Sequence, residues 1–332
     1  MRTDRGVAVV GRVPTRARPR PDVVVKGSGD ACGEAERRRP SPLSRRGFLR
    51  TLGAAAGSVG LAASGCTSAD LEEYFQRHYL RLTPEERDAV LERIEMRTRE
   101  RYGVDVDVTD PPPIPGVELA YALNVAYCIG CRRCVYACQR ENNQSRNPMI
   151  HYIRVLRMEE GSLEVEHADP YFEGVVPEEG SFYFPLQCHQ CANAPCTRAC
   201  PVRATWREPD GIVVIDYDWC IGCRYCQAAC PYFARRFNFS EPVIRPSEIN
   251  PVQAYLGNRL RRQGVVEKCT FCIQRVRNGR FPACVEVCPT GSRKFGNLND
   301  PESEVRRIID SRRVYVFKED LGTIPRFFYF FD

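Results

Sequence analysis

The chain has 332 residues, enough for one or two domains with a real core, and a formal charge of +6. Residues 1–50 hold 13 Lys and Arg against 5 Asp and Glu, leaving 35 against 37 afterwards, so the body has no basic footprint for nucleic acid. The one departure from ordinary composition is 18 cysteines.

Residues 1–43 are rich in Arg and Pro and read as a basic, disordered extension, or as lying upstream of the true start. In "SRRGFLRTLGAAAG", Ser44, Arg45, Arg46, Phe48 and Leu49 follow the order of a twin-arginine export signal, so residues 44–66 are expected to form the signal region. The apolar run Thr51 to Ser64 is 14 residues long, short of the roughly 20 a membrane-spanning helix needs, and matches a signal core. "LAASGC" makes Cys66 a candidate for lipidation; cleavage nearby, or an uncleaved signal with Cys66 idle, stays open.

Residues 67–107 form a helical lead-in. "ADLEEYFQRHYLRL" is helical in pattern, and "TPEERDAVLERIEMRTRERYG" carries an N-cap at Thr83, Pro84 at N1, a capping box through Glu86 and a stop at Gly103. Its charge suggests a helix lying on the surface of the main body or on a partner, or, by preference, a solvated spacer. "VTDPPPIPG" then predicts an extended linker over 108–118, because successive prolines neither enter a helix nor donate to a ladder. Across 119–300 short segments alternate with cysteine clusters. "HYIRVLRM" and "SLEVEHA" suggest a hairpin, and "GIVVID" a further strand. In 301–332, "PESEVRRIIDSRR" reads as a helix, "RVYVFK" as a strand and "TIPRFFYFFD" as an apolar tail that packs on the body or, by preference, docks into another subunit. The organisation is small α+β.

Apart from Cys32 and Cys66, the cysteines fall into four groups of four. Cys128, Cys131, Cys134 and Cys138 give C-x2-C-x2-C-x3-C; Cys188, Cys191, Cys196 and Cys200 give C-x2-C-x4-C-x3-C; Cys220, Cys223, Cys226 and Cys230 repeat the first; Cys269, Cys272, Cys284 and Cys288 give C-x2-C-x11-C-x3-C. Pro201, Pro231 and Pro289 follow the last three groups, and Gln139 the first. Disulfides are the default for an exported chain, but pairs two residues apart make crowded bridges. Zinc ribbons use C-x2-C pairs without this tandem run. The spacing is that of bacterial ferredoxins, in which three thiolates hold one [4Fe-4S] cube and the fourth ligates its neighbour. Here the fourth cysteine is expected to open a short helix at a site suited to proline. Four [4Fe-4S] clusters follow. A chain that needs clusters to fold must be exported folded, which is what the twin-arginine route provides.

The order and spacing of the four groups, with "CTFCIQRVRNGRFPACVEVCPTGSRKFG", resemble the four-cluster iron–sulfur electron-transfer subunits of complex iron–sulfur molybdoenzymes, such as polysulfide, tetrathionate and dimethyl sulfoxide reductases. The resemblance implies two interleaved dicluster ferredoxin-like folds related by a pseudo-twofold axis. It implies the ligand sets Cys128/Cys131/Cys134/Cys288, Cys269/Cys272/Cys284/Cys138, Cys188/Cys191/Cys196/Cys230 and Cys220/Cys223/Cys226/Cys200. It also implies a non-catalytic conduit between a molybdopterin catalytic subunit and a multispanning quinone-reactive membrane subunit; the twin-arginine signal adds a location in the periplasm or on the outer face of the cytoplasmic membrane. Alternatives are a subunit of a membrane-bound hydrogenase or of a quinol-oxidising multihaem cytochrome complex, and a structural subunit whose clusters do not turn over. His189, inside "CHQC", reads as a loop residue near a cluster; Tyr127 and Trp219 as rings packed on clusters; Arg132, Arg133, Arg224, Arg235 and Arg236 as solvated charge, as tuners of potential or as contacts for a partner's acidic surface.

Overall fold

The computed structural model describes residues 78–331. The twin-arginine motif, Cys66 and residues 69–77 of the first expected helix lie outside the described residues. After a 3-10 turn at Tyr79–Arg81, helix α1 spans Pro84–Tyr102. Thr83 Oγ1 accepts from the Glu86 N–H at 3.2 Å, Glu86 Oε2 accepts from the Thr83 N–H at 2.8 Å, and Gly103 ends the helix at φ 65°. The lead-in is not a solvated spacer. Tyr79 is buried, stacking on Trp206 and Tyr255 with centroids 5.7 and 5.1 Å away, and Val90 joins the same core.

The expected linker is also built into the body. Strand β1 (Asp107–Thr109) pairs in parallel with β8 (Val252–Ala254). Proline cannot donate, but its carbonyl still accepts: Arg277 Nη1 donates to Pro111 O at 2.9 Å.

The largest sheet has the order β10–β2–β12–β11, from β10 (Arg293–Asn297), β2 (Leu119–Asn124), β12 (Phe327–Phe330) and β11 (Val314–Tyr315). β2 runs antiparallel to β10 and parallel to β12. The period of two decides its packing. Ala120, Ala122 and Phe330 meet Val305 of α7 (Glu304–Ser311), whereas Tyr121, Leu123, Phe327 and Tyr329 enter the main core. The aromatic tail is therefore a strand of this sheet and not a free docking segment. Phe327 stacks on Tyr121 at 4.7 Å and Tyr329 on Phe184 at 4.2 Å, so the chain's own rings bury these two side chains, while Phe331 stays exposed.

β3 (Arg154–Glu159) pairs with β4 (Ser181–Leu186) and not with "SLEVEHA". The reason is apolar content. β4 buries Tyr183, Phe184 and Leu186, whereas Leu163 of the expected partner stays exposed. "GIVVID" supplies β6 (Val213–Ile215), antiparallel to β5 (Thr205–Arg207), and β7 (Arg236–Phe237) pairs with β9 (Val266–Glu267).

Short helices follow the cysteine loops: α2 (Arg133–Glu141), α3 (Pro195–Arg198), α4 (Tyr225–Ala228), α5 (Ile273–Val276) and α6 (Ala283–Glu286). The fourth cysteine of each group does not open a helix. Cys134, Cys196, Cys226 and Cys284, the third of each group, lie in first turns, and Cys200, Cys230 and Cys288 come two residues past the ends of α3, α4 and α6. The following proline cannot continue a helix. Gln139 confirms the logic: without proline there, α2 runs nine residues to Glu141 where the other three run four. Among the described residues no helix is long and apolar enough to cross a membrane.

Candidate iron–sulfur sites

"CIGCRRC" at 128–134 and "CIGCRYC" at 220–226 fold alike. Gly130 and Gly222 have φ of 71° and 70°, and Arg132 and Arg224 enter α2 and α4 at φ 54° and 63°. These left-handed residues curl each loop tightly enough to turn successive cysteines inward. Close approach makes glycine obligatory: a Cβ on Gly130 would lie 2.4 Å from the Tyr183 ring, and one on Gly222 would lie 2.1 Å from Gly264 O.

The loops bring distant cysteines together. Cys128, Cys131, Cys134 and Cys288 line one cavity with about 330 Å³ of atom-free space, part of it open to solvent. Cys188, Cys191, Cys196 and Cys230 line a second of about 340 Å³. Cys138, at the far end of α2, is close enough to Cys272, Cys269 and Cys284 for their charges to act on it. Asn142 Nδ2 lies 3.5 Å from the sulfurs of both Cys138 and Cys272, and Gln144 Nε2 lies 3.1 Å from Cys138 Sγ. Cys226 faces Cys220, Cys223 is exposed, and Cys200 Sγ accepts from the Ala204 N–H at 3.2 Å.

All sixteen cysteines of the described region are free thiols. Yet no three His, Cys, Asp or Glu among the described residues converge to hold a single metal ion. In two of the groups the thiols line a cavity, an arrangement that fits an iron–sulfur core. Burial pushes the Cys128, Cys191 and Cys272 thiols up to about 12, and Cys138 and Cys269 well above the ordinary range. Cys288 goes the other way. Burial opposes its ionisation, but the Thr290 hydroxyl, the backbone N–H groups of Arg293 and Thr290, and the Arg293 charge prevail. Because the ligand is the thiolate, cluster loading must displace protons from the others.

Of the other residues singled out in the sequence, His189 is fully buried, with Nε2 3.3 Å from Tyr329 Oη and the ring against Tyr232 and Phe327. Burial alone lowers it to about 3, so it is neutral. Trp219 donates to Val202 O at 2.8 Å, whereas Tyr127 is 53% exposed and does not pack inward as expected. Arg132 and Arg224 lie over Phe172 and Phe237, Arg133 is exposed, Arg236 donates to His151 O, and Arg235 reaches Cys196 Sγ at 3.0 Å. Sequence reasoning missed the polar groups at the thiols, namely Asn142, Gln144 and Tyr121, whose Oη is 3.5 Å from Cys284 Sγ. It also missed the buried Lys268 and Arg293. The adjacency of Lys268 to Cys269 was the only local signal.

A family model described as a 4Fe-4S dicluster domain matches residues 180–246 and 251–298. A candidate dimethyl sulfoxide reductase iron–sulfur subunit from Halobacterium salinarum is 44% identical over 208 residues, covering 61% of this chain and 74% of the relative. An Hdr-like menaquinol oxidoreductase iron–sulfur subunit 1 from Archaeoglobus fulgidus is 40% identical over 209 residues, 59% of this chain and 71% of the relative. A selenate reductase subunit from Mesobacillus selenatarsenatis is 37% identical over 228 residues, 65% and 73% respectively. With the cavity of Cys188, Cys191, Cys196 and Cys230 inside the matched region, the chain belongs to the family of [4Fe-4S] iron–sulfur electron-transfer subunits of molybdoenzyme and menaquinol oxidoreductase complexes.

Proposed function

We propose that the chain carries four [4Fe-4S] clusters in a single file through the ligand sets Cys128/Cys131/Cys134/Cys288, Cys138/Cys269/Cys272/Cys284, Cys188/Cys191/Cys196/Cys230 and Cys200/Cys220/Cys223/Cys226. Support comes from neighbours across sets: Cys134 feels Cys284, Cys269 feels Cys188, and Cys226 feels Cys196. The observation that carries the conduit reading is the gradient of exposure along that file. All four cysteines of the second set are buried, whereas three of four in each terminal set are half-buried or exposed. A wire has accessible ends and an insulated middle; a structural cluster needs neither. The twin loops at 128–134 and 220–226 favour the pseudo-twofold pair of ferredoxin-like folds.

When bound, the clusters would supply one-electron chemistry at potentials set by burial, charge and hydrogen bonds to sulfur. In that role the chain takes one electron from a donor and gives one to an acceptor, with no bond made or broken. Asn142, Gln144 and Tyr121 hold the second set's sulfurs in place and would stabilise negative charge on them. The partners proposed are a molybdopterin catalytic subunit and a quinone-reactive membrane subunit. The Archaeoglobus relative, a menaquinol oxidoreductase subunit, favours a quinol-linked second reading. Export through Arg45 and Arg46 would place the complex on the outer face of the cytoplasmic membrane, with Cys66 the residue available for lipidation.

Anaerobic purification of the native complex, metal analysis and mass spectrometry of its subunits test this. About sixteen iron atoms per chain beside a molybdopterin subunit is the expected result; four zinc ions, or clusters that stay oxidised while the complex turns over its substrate, refutes the conduit. Replacing Arg45 and Arg46 by Lys should retain the folded chain in the cytoplasm, and unchanged export removes the signal assignment.

A further inference from the structure

The fold buries two kinds of cation. Arg259, Arg261 and Arg277 are each matched to carboxylates: Asp218 at 3.2 Å, Glu267 at 2.7 Å and Asp210 at 2.8 Å. Arg293, Lys268 and Arg235 are 4%, 0% and 1% exposed, and among the described residues none has an Asp or Glu oxygen within 4.0 Å. A buried charge without a counter-charge is strongly unfavourable. Their compensation must come from other groups, and the only anionic chemistry beside them is thiol.

Each of the three faces two neighbouring sets. Arg293 lines the first cavity, donates through Nη1 to Tyr121 Oη at 3.0 Å and Gln187 Oε1 at 2.9 Å, and leaves Nη2 buried without a partner. Burial works against its charge, while Cys134 of the first set and Cys284 of the second favour it. Lys268 Nζ donates to Cys269 O at 2.8 Å and Gln190 Oε1 at 3.3 Å. Gln190 Nε2 donates to the same Cys269 carbonyl at 2.7 Å, so lysine and glutamine tie the second set's loop to the third's. Burial and the nearby Arg235 charge hold the Lys268 ammonium below the ordinary lysine range, against support from Cys188 and Cys269, one from each set. Arg235 Nη2 donates to Cys196 Sγ at 3.0 Å and Thr205 Oγ1 at 2.9 Å, with Nε and Nη1 buried and unpartnered. Burial opposes its charge too, but Cys196 of the third set and Cys226 of the fourth outweigh it.

We infer that Arg293, Lys268 and Arg235 are shared counter-charges, one at each of the three steps between adjacent clusters. The inference rests on the four-cluster reading and adds a function to it. A fixed positive charge between two cores stabilises the reduced, more negative state of both, so each cation raises two potentials at once. It also lowers the charge repulsion that an electron on one core imposes on the next. These are positioning residues: Arg235 donates to a thiol, Arg293 lines a thiol-lined cavity and Lys268 holds a cysteine carbonyl, and all three set the field through which the electron moves.

The test is an EPR-monitored redox titration of the purified complex with Arg235→Gln and Arg235→Lys, alongside the parent. The parent should hold about sixteen iron atoms per chain; a parent without four clusters refutes the underlying reading and not merely the counter-charges. In Arg235→Gln, two clusters should become at least tenfold harder to reduce, about 59 mV for a one-electron couple, with two unchanged. Arg235→Lys should restore most of the shift. Loading without any shift, a shift of one cluster or of all four, or equal shifts in both variants overturns the inference. If Arg235→Gln does not accumulate, Lys268→Gln and Lys268→Arg make the same comparison for the middle pair. A Gln variant lacking about eight iron atoms whose charge-preserving counterpart loads fully also supports it, because both flanking sites then require the charge.

Discussion

Replacing Gly222 by Ala should disable one cluster site through backbone geometry alone. Gly222 stands between Cys220 and Cys223 at φ 70°, where an L-residue costs about 1–2 kcal/mol. The added Cβ would sit 2.1 Å from Gly264 O and 3.2 Å from the Phe237 ring. A backbone oxygen cannot rotate away, and Gly264 is itself held by its N–H bond to Asn238 O at 2.9 Å. Overpacking of that kind adds about 1–3 kcal/mol. The total, about 2–5 kcal/mol, is a large fraction of the roughly 5–15 kcal/mol that keeps a domain folded. Most of it falls on the loop that presents Cys220 and Cys223. Gly264→Ala is the control: its φ is 85°, but a Cβ there meets nothing within 4 Å, so only the backbone cost of about 1–2 kcal/mol applies. Iron analysis and EPR on anaerobically prepared protein should show Gly222→Ala short of about one cluster and Gly264→Ala fully loaded. If the two variants load iron equally and melt together, the close-approach argument is wrong.

Arg277→Met should lower stability by about 3–5 kcal/mol in thermal denaturation, because it leaves Asp210 and Glu208 buried without their cation and frees the Pro111 carbonyl. Tyr79→Ala should cost about 3 kcal/mol and speed hydrogen exchange in α1 selectively, since the stacks on Trp206 and Tyr255 anchor the lead-in; unchanged exchange would mean α1 is held elsewhere. Burial opposes ionisation of Glu118, but hydrogen bonds from Arg326 and Arg207 hold its carboxyl below the usual range. The stability it adds is therefore present at neutral pH and lost as pH falls through that lowered value, so Glu118→Gln should destabilise at pH 7 and flatten the acid limb of the stability–pH curve.

What was legible in the sequence was local. The capping box of α1 needs four residues, and the cysteine groups need at most twenty around a metal-binding pattern whose meaning does not depend on the rest of the chain. What was missed depended on partners far away in sequence. β3 could not be matched to β4 without knowing that Phe184 packs on Tyr329, nor the tail placed without knowing that Phe327 covers Tyr121. The position of the prolines was read one turn too early, because spacing alone does not say whether the third or the fourth cysteine starts the helix. The four-residue helices settle it, and the nine-residue α2 over Gln139 shows that a single residue decides where the turn stops.

The same distance dependence separates the ligands from the groups that balance them. Sixteen thiols are announced by spacing, whereas Arg293, Lys268 and Arg235 gain significance only when the fold sets each between two cysteine groups with no carboxylate in reach. Leaving a buried charge unmatched costs about 3–5 kcal/mol, so three of them rival the whole net stability of a typical domain, about 5–15 kcal/mol. Thiols whose ionisation is pushed up to about 12 by burial cannot serve as their counter-ions at neutral pH unaided, as at Cys128 and Cys191. Thiolates bound to iron can. The interior is thus arranged for a state in which cluster loading and charge balance arrive together, and acquiring the cofactor becomes part of acquiring the fold. For a chain of this construction, a route that carries cargo already folded, as proposed for Arg45 and Arg46, is the one that would deliver it intact.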